Sequence, residues 1–285
     1  MNKIGFIGLG TMGAPMAMNL LNAGYELYFY SRREPVVQQF REAGAIPVGN
    51  CAEVAEAADV IIAIVPADRE VEQVLVSDTG VIAGGGPGKL VVDMSTISPI
   101  TVHWVAARLE TAGMSMLDAP VSGGHSGAKA GTLAIMAGGS EDDFTRVLPI
   151  FKVLGEEIFH LGPLGAGQTT KLVNQMLSGG IMTLIGEAMS VAKAIGLDLS
   201  QVVDVVSASS GNSTMLAARA KFLLADRFEP GFKTGLMRKD MALGLALAQD
   251  HNTPAPVAAA ALQKYTAAIS RGDGILDFSA VARLT

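Results

Sequence analysis

The sequence predicts an α/β fold in which a doubly wound parallel sheet is followed by an all-α C-terminal domain. Short apolar runs alternate with helical patterns through the first half of the 285-residue chain. The first run ends in a glycine-rich turn, and strand-like runs stop near Gly165, beyond which the patterning is helical. Runs without polar alternation are those of strands buried on both faces, and repeated β-α units wind a parallel sheet through right-handed crossovers.

The strand-like runs cover residues 4–7, 26–30, 60–65, 90–93 and 114–118. Helical patterns separate them. Residues 12–23 stop at Gly24, 35–43 at Gly44 and 101–112 at Gly113, while 51–57 precede Asp59. A glycine just past the last periodic residue is a helix stop, because it adopts the left-handed conformation without a side-chain clash. Two further strands are expected at 132–137 and 157–161, with a helix over 141–154 between them. Gly162-Pro163-Leu164-Gly165-Ala166-Gly167 reads as a flexible break. Beyond it, helices are expected at 169–196, 200–209, 214–225, 234–249 and 254–270, with a short last one at 277–284. The domains are therefore placed at 1–164 and 165–285. A long apolar helix opening the second domain suits a subunit contact, so a homodimer or homotetramer is expected.

Composition narrows the function. Apolar residues make up 49% and charged ones 17%, a balance that rules against disorder. The net charge of −6, without a Lys/Arg stripe, argues against nucleic acid or an anionic membrane as partner. The single cysteine, Cys51, forms no intramolecular disulfide and suits a reducing cytoplasm. No secretory signal is read, because strand-like sequence starts at Lys3. The uncharged stretch 172–186 contains Asn174, Gln175 and Ser178, and at 15 residues it is too short and polar for a membrane span. No metal is expected.

Gly8-Leu9-Gly10-Thr11-Met12-Gly13 matches G-x-G-x-x-G, with an apolar strand before it and a helix after it. Gly8 permits the tight turn, Gly10 lets the backbone approach a pyrophosphate, and Gly13 allows close helix–strand packing. The helix N-terminus then faces the negative charge. A dinucleotide on a Rossmann-type sheet follows. NAD-selective sites place an acid about 20 residues beyond the glycines, to hold the ribose hydroxyls. Here the second strand instead runs into Ser31-Arg32-Arg33. Ser31 can donate to a 2′-phosphate and Arg32 can pair with it as a fork, which favours NADP over NAD. The competing reading is a pair of solvated arginines in a turn. Val65-Pro66 and Thr96 follow other strands at the edge where open α/β sheets bind ligands. Thr96 either lines the nicotinamide ribose or caps the helix that Pro99 helps to start.

Asp118-Ala119-Pro120-Val121-Ser122-Gly123-Gly124 is a strand end running into a turn, and Gly131-Thr132-Leu133 returns the chain to the sheet. The Ser122 hydroxyl and the Gly123 and Gly124 amides can converge on a carboxylate, although an ordinary glycine-rich hairpin has the same pattern. Lys171 opens the long helix, with Asn174 and Gln175 at i+3 and i+4 on the same face. A lysine is most often solvated, but the next charged residue here is Glu187. In an apolar cleft a lysine can act as general acid or base near neutrality.

Together these segments resemble the β-hydroxyacid dehydrogenase family, which includes 3-hydroxyisobutyrate dehydrogenase and tartronate semialdehyde reductase. The resemblance runs through Gly8 to Leu20, Asp118 to Gly124 with Gly131-Thr132-Leu133, Gly165-Ala166-Gly167 with Lys171 and Asn174, and Lys239-Asp240. It implies hydride transfer between NADP(H) and a short carboxylated β-hydroxyacid/semialdehyde pair. It further implies Lys171 as the catalytic acid/base and Asn174 as a residue holding substrate and lysine. Ser122, Gly123 and Gly124 would grip the substrate carboxylate, and Lys239 would close over the cofactor with Phe232 nearby. On its own, Lys239 beside Asp240 reads as a solvated pair. Gln175 stands where many members have a second Asn, and Ala67 where many have a polar residue. His125 is either a surface-loop histidine or a contact to the distal end of the substrate. Alternative readings are reduction of another small aldehyde (succinic semialdehyde, glyoxylate or sulfolactaldehyde), an imine reductase, and a non-catalytic NADP-binding module. Imine reductases of this architecture usually lack the lysine.

Overall fold

The computed structural model describes residues 2–283, arranged as two compact units, Met1–Lys171 and Leu172–Thr285. The first begins β1 (Lys3–Ile7), α1 (Gly13–Asn22), β2 (Glu26–Tyr30), α2 (Glu34–Glu42), β3 (Ile46–Pro47), α3 (Cys51–Ala57) and β4 (Val60–Ala63). It continues with α4 (Asp68–Val76), α5 (Val81–Gly84), β5 (Leu90–Asp93), α6 (Pro99–Thr111) and β6 (Ser115–Asp118). Six strands pair in parallel in the order β3-β2-β1-β4-β5-β6. This is the doubly wound order, and it reverses direction between β1 and β4.

All four residues of β4 and of β5 are buried, as continuous apolar runs require. Their side chains divide by the two-residue period of a strand. Val60 and Ile62 join Leu90 and Val92 in a core with Met16, Leu20 and Phe40 from α1 and α2. Ile61 and Ala63 join Val91 in the opposite core, with Val54, Val71, Leu75, Val102 and Val105 from α3, α4 and α6. Sealing both faces in this way stabilises each large aliphatic by about 1.5–3 kcal/mol relative to exposure.

Past β6 the chain departs from the expected series. β7 (Val121–Ser122), α7 (Gly124–Ala130), β8 (Leu133–Ala137), α8 (Glu141–Leu154) and β9 (Gly155–His160) follow. The last three strands form a separate sheet in the order β7-β8-β9. Asp118 exchanges backbone hydrogen bonds with Gly138, and Val121 and Ser122 pair antiparallel to β8. The chain thus folds back on itself at Pro120, and β8 cannot extend the parallel sheet. α8 starts on Ser140, whose Oγ accepts from Asp143 N, and carries three acids in its first turn that complement the helix dipole.

α9 (Ala166–Ala194) runs across the boundary after Lys171. The second unit continues with α10 (Leu199–Ser207), α11 (Thr214–Leu224), α12 (Thr234–Asp250) and α13 (Pro256–Ser270), all helical as expected. Its core gathers Met182, Leu223, Phe228, Met237, Met241, Tyr265 and Phe278. The last expected helix is a 3-10 turn over Phe278–Ala282, capped by Asp277 through Ser279 N; Leu284 lies outside the described residues.

Candidate active site

The glycine turn sits between β1 and α1, beside the point where the strand order reverses. Gly8 has φ +102°, and a Cβ there would lie 2.1 Å from the Ile64 carbonyl oxygen. At Gly13 a Cβ would lie 2.0 Å from the Gly8 oxygen, so helix and strand meet at a separation only glycine allows. Gly10 differs: a Cβ there would meet nothing within 4 Å. Gly8 and Gly13 are enclosed by protein, whereas Gly10 faces an open cradle at the head of α1. That cradle fits a dinucleotide pyrophosphate, which needs bare backbone and unpaired helix amides.

Two cationic or donor side chains reach the carbonyls of this turn. The Arg33 guanidinium donates to Leu9 O, so the second arginine is tied to the turn, although both arginines are exposed. Arg33 N donates to Ser31 Oγ at 3.2 Å, which shapes the end of β2. The His125 ring, read from sequence as a surface-loop or substrate contact, lies with Nδ1 2.9 Å from Thr11 O.

At the neighbouring strand ends, Ser95 Oγ accepts from Val65 N at 2.9 Å, holding the Val65-Pro66 corner against the segment after β5. The Gln168 amide spans Ser95-Thr96-Ile97, with Nε2 donating to Ser95 O at 2.8 Å and Oε1 accepting from Ile97 N at 3.1 Å. Thr96 does not cap the following helix. Ser98 does, accepting from Ile100 N at 3.1 Å. Because all six strands are parallel, the glycine turn, Ser31–Arg33, Val65-Pro66, Thr96 and Asp118 share one edge of the sheet.

Asp118 connects this edge to α9. Its Oδ1 accepts from Gly165 N and its Oδ2 from Gln168 N, both at 2.7 Å. A Cβ on Gly167 would lie 2.8 Å from Asp118 O. The glycine segment read as a flexible break is therefore the anchored start of a helix: its freed amides are satisfied by a buried carboxylate. Desolvation pushes the Asp118 carboxyl above the usual carboxylate range, against the lowering effect of the two amides and of nearby His103. Lys171 follows Gln168 by three residues and is 6% exposed, so the solvated-lysine reading fails. Four residues past Asp118, Ser122 closes β7; Gly123 has φ +133°, and α7 opens at Gly124 where the sequence suggested only a turn.

In the second unit, the Gln175 amide donates to Asp240 Oδ2 at 2.6 Å, and Asn174 Nδ2 donates to Gln175 Oε1 at 3.2 Å. Lys239 pairs with Asp240 at 3.0 Å. Asp240 is buried, which corrects the reading of a solvated pair: the carboxylate is held by an ammonium and an amide away from water. Phe232 packs edge-on against Phe278 at a centroid separation of 6.0 Å.

Sequence reasoning missed Gln168 and Ser95. A glutamine amid small residues in Gly165-Ala166-Gly167-Gln168 was the available signal, since a polar group at a helix start beside three small neighbours has backbone within reach. Among the described residues no cluster of His, Cys, Asp or Glu is placed to hold a metal ion, and no helix is long and apolar enough to cross a membrane.

Residues 3–162 match the NAD binding domain of 6-phosphogluconate dehydrogenase, and residues 165–285 match the NAD-binding domain of NADP-dependent 3-hydroxyisobutyrate dehydrogenase. The chain is 38% identical to the NAD-dependent L-serine dehydrogenase of Pseudomonas aeruginosa, covering 100% of this chain and 98% of the relative. It is also 38% identical to the 2-hydroxy-3-oxopropionate reductase of Escherichia coli K12, covering 99% and 96%. The crystal structure of 3-hydroxyisobutyrate dehydrogenase from Salmonella typhimurium superposes with a TM-score of 0.90 at 33% identity, covering 99% of each chain. With a dinucleotide cradle at its sheet edge and these matches along its whole length, the chain belongs to the β-hydroxyacid dehydrogenase family and is a nicotinamide-dependent oxidoreductase acting on a hydroxyl-bearing carbon.

Proposed function

We propose that the enzyme reduces a short semialdehyde acid, of the tartronate semialdehyde or methylmalonate semialdehyde type, to the β-hydroxyacid with NADPH, and that Lys171 passes the proton. The carrying observation is the anchoring of α9 by Asp118. One aspartate ends the strand that leads to the Ser122 turn and also holds the helix start that carries Lys171. Carboxylate-binding turn and proton donor thus ride on one rigid piece, as an acid/base acting one carbon from a carboxylate requires.

Gly8 to Gly13 would hold the pyrophosphate, Ser31 and Arg32 the 2′-phosphate, and Val65, Pro66 and Thr96 the nicotinamide side. When bound, the nicotinamide supplies the hydride to the aldehyde carbon or takes it from the alcohol carbon. The Ser122 hydroxyl and the Gly123 and Gly124 amides hold the substrate carboxylate and fix which carbon is presented. In reduction the Lys171 ammonium donates a proton to the nascent alkoxide oxygen; in oxidation the neutral amine takes it back. Asn174, one turn on, orients the substrate oxygen and the lysine. Gln175 is excluded from that role because its amide is committed to Asp240.

The NADP assignment rests on Ser31-Arg32-Arg33 and is supported by the NADP-dependent family whose domain matches the second half. Initial rates with NADPH and NADH against tartronate semialdehyde, methylmalonate semialdehyde, succinic semialdehyde and glyoxylate test the reading. The expected result is the highest kcat/KM with NADPH and a semialdehyde whose carbonyl is one carbon removed from the carboxylate. Equal or better rates with NADH, or with succinic semialdehyde or glyoxylate, would overturn it.

A further inference from the structure

The cofactor turn and the proposed substrate turn are linked by a side chain that neither function requires. His125 Nδ1 lies 2.9 Å from the carbonyl oxygen of Thr11, across 114 residues of sequence. A carbonyl only accepts, so Nδ1 carries the proton and donates it. Nε2 makes no hydrogen bond among the described residues. One helical turn further along α7, Asn19 of α1 donates from Nδ2 to Ala128 O at 2.9 Å, across 109 residues. Ala128 itself is fully buried in the core that contains Met16, Ala17 and Leu20 of α1. The helix that opens at Gly124 is therefore fastened at two levels, to the turn before the cofactor helix through Thr11 and to that helix itself through Asn19. The outer fastening point, Thr11 O, belongs to the stretch Gly10-Thr11-Met12 that borders the open cradle.

We propose that His125 is a positioning residue that couples the two turns: a dinucleotide that orders the Gly8–Gly13 loop also orders, through Thr11 O and His125, the Ser122–Gly124 turn that receives the substrate carboxylate. The inference rests on the reading of that turn given above. Its physical basis is linkage. Ordering contributed by the first ligand is not needed again by the second, so each ligand tightens the other by the same factor. Asn19, which is partly buried, fixes where α7 sits. His125, which is exposed, fixes whether its first turn follows the loop.

The test uses 3-hydroxypropionate with NADPH, a pair in which both partners are reduced and no hydride can move. NADPH affinity is titrated by fluorescence with and without saturating 3-hydroxypropionate in wild type, His125→Ala, His125→Asn and Ser122→Ala. In wild type the acid is expected to tighten NADPH about tenfold, within the roughly 5–150-fold range of ordinary site coupling. In His125→Ala the tightening should collapse towards one. NADPH affinity without the acid and the melting temperature should stay near wild type, and KM for the semialdehyde should rise while kcat changes little. His125→Asn, whose amide can reach the same carbonyl, should restore part of the coupling. Undiminished tightening in His125→Ala would overturn the inference. So would equal loss of NADPH affinity with and without the acid, which marks a purely structural role. Absence of tightening in wild type would also overturn it. If Ser122→Ala leaves binding of the acid unchanged, the turn is not the carboxylate site and both readings fall. If Ser122→Ala weakens it while His125→Ala keeps the coupling, the inference alone falls.

Discussion

Asp118 Oδ2 accepts a 2.7 Å hydrogen bond from the backbone N–H of Gln168, and the Gln168 side chain in turn holds Ser95 O and Ile97 N. The ends of β5 and β6 are thereby joined to the first turn of α9 through two adjacent side-chain contacts. The helix carrying Lys171 is positioned by the same sheet edge that would position the cofactor, through buried hydrogen bonds.

Asp118→Asn is expected to destabilise the protein by about 1–3 kcal/mol, because the new amide nitrogen faces a backbone N–H and leaves a buried donor unpaired. The pH dependence has a definite sign. Burial raises the Asp118 carboxyl above its ordinary value. The folded state therefore holds the proton more tightly than the unfolded chain. That contribution to stability is complete below the ordinary carboxylate pKa and is lost as pH rises through the raised one. The deficit of Asp118→Asn relative to wild type should accordingly shrink from mildly acidic to neutral pH in urea titrations. A deficit that widens with pH would contradict the argument.

The parallel sheet was legible because β4 and β5 have no polar alternation, and because the glycine turn joined a strand to a helix. The second small sheet was not. Residues 121–122 and 133–137 have the apolar character of any buried strand, and nothing in that character distinguishes an antiparallel return at Pro120 from another crossover. α4 escaped notice because its apolar face is short: only Val71 and Leu75 are buried, among acids and a glutamine. Long-range side-chain pairs such as Asp118 with Gly165, or His125 with Thr11, lie 47 and 114 residues apart and depend on tertiary placement that no local pattern encodes.

A pair of glycine substitutions separates folding from cofactor binding. Gly8→Ala places a methyl 2.1 Å from Ile64 O at a positive φ, so the melting temperature should fall by several degrees or the protein should fail to fold. Gly10→Ala meets no protein atom within 4 Å. It should fold with near wild-type stability and yet lose most NADPH affinity, because its methyl enters the space left for the pyrophosphate. Thermal unfolding and NADPH titration on the two variants check this. Wild-type cofactor affinity in Gly10→Ala would remove the pyrophosphate from that cradle.

Arg32 and Arg33 should behave differently despite being neighbours. Arg33 is tied to Leu9 O, and removing it loosens the turn that either cofactor needs. Arg33→Ala is therefore expected to weaken NADPH and NADH alike. Arg32 is exposed and available for a 2′-phosphate. Arg32→Ala should lower kcat/KM for NADPH by roughly 10- to 100-fold, the scale of one charge-assisted hydrogen bond, and leave NADH nearly unchanged. Steady-state kinetics with both cofactors decide it, and an equal loss with the two would transfer the discrimination elsewhere.

Lys171→Ala removes the group assigned to proton transfer and should lower kcat by about 10²–10⁴-fold while leaving NADPH affinity largely intact. Loss of a buried side chain alone could also impair the site, so Lys171→Arg supplies the control. Arginine keeps the positive charge and much of the stem but does not release its proton at accessible pH. If Lys171 acts by electrostatic attraction, arginine should restore much of the rate. If it acts by giving and taking a proton, arginine should remain near the alanine level although the protein folds and binds cofactor. The melting temperature and NADPH titration establish that both variants are intact, and single-turnover absorbance at the NADPH band measures the chemical step. Near wild-type turnover in Lys171→Ala would remove Lys171 from the reaction and return the proton to water, whereas near wild-type turnover in Lys171→Arg would leave the lysine an electrostatic role only.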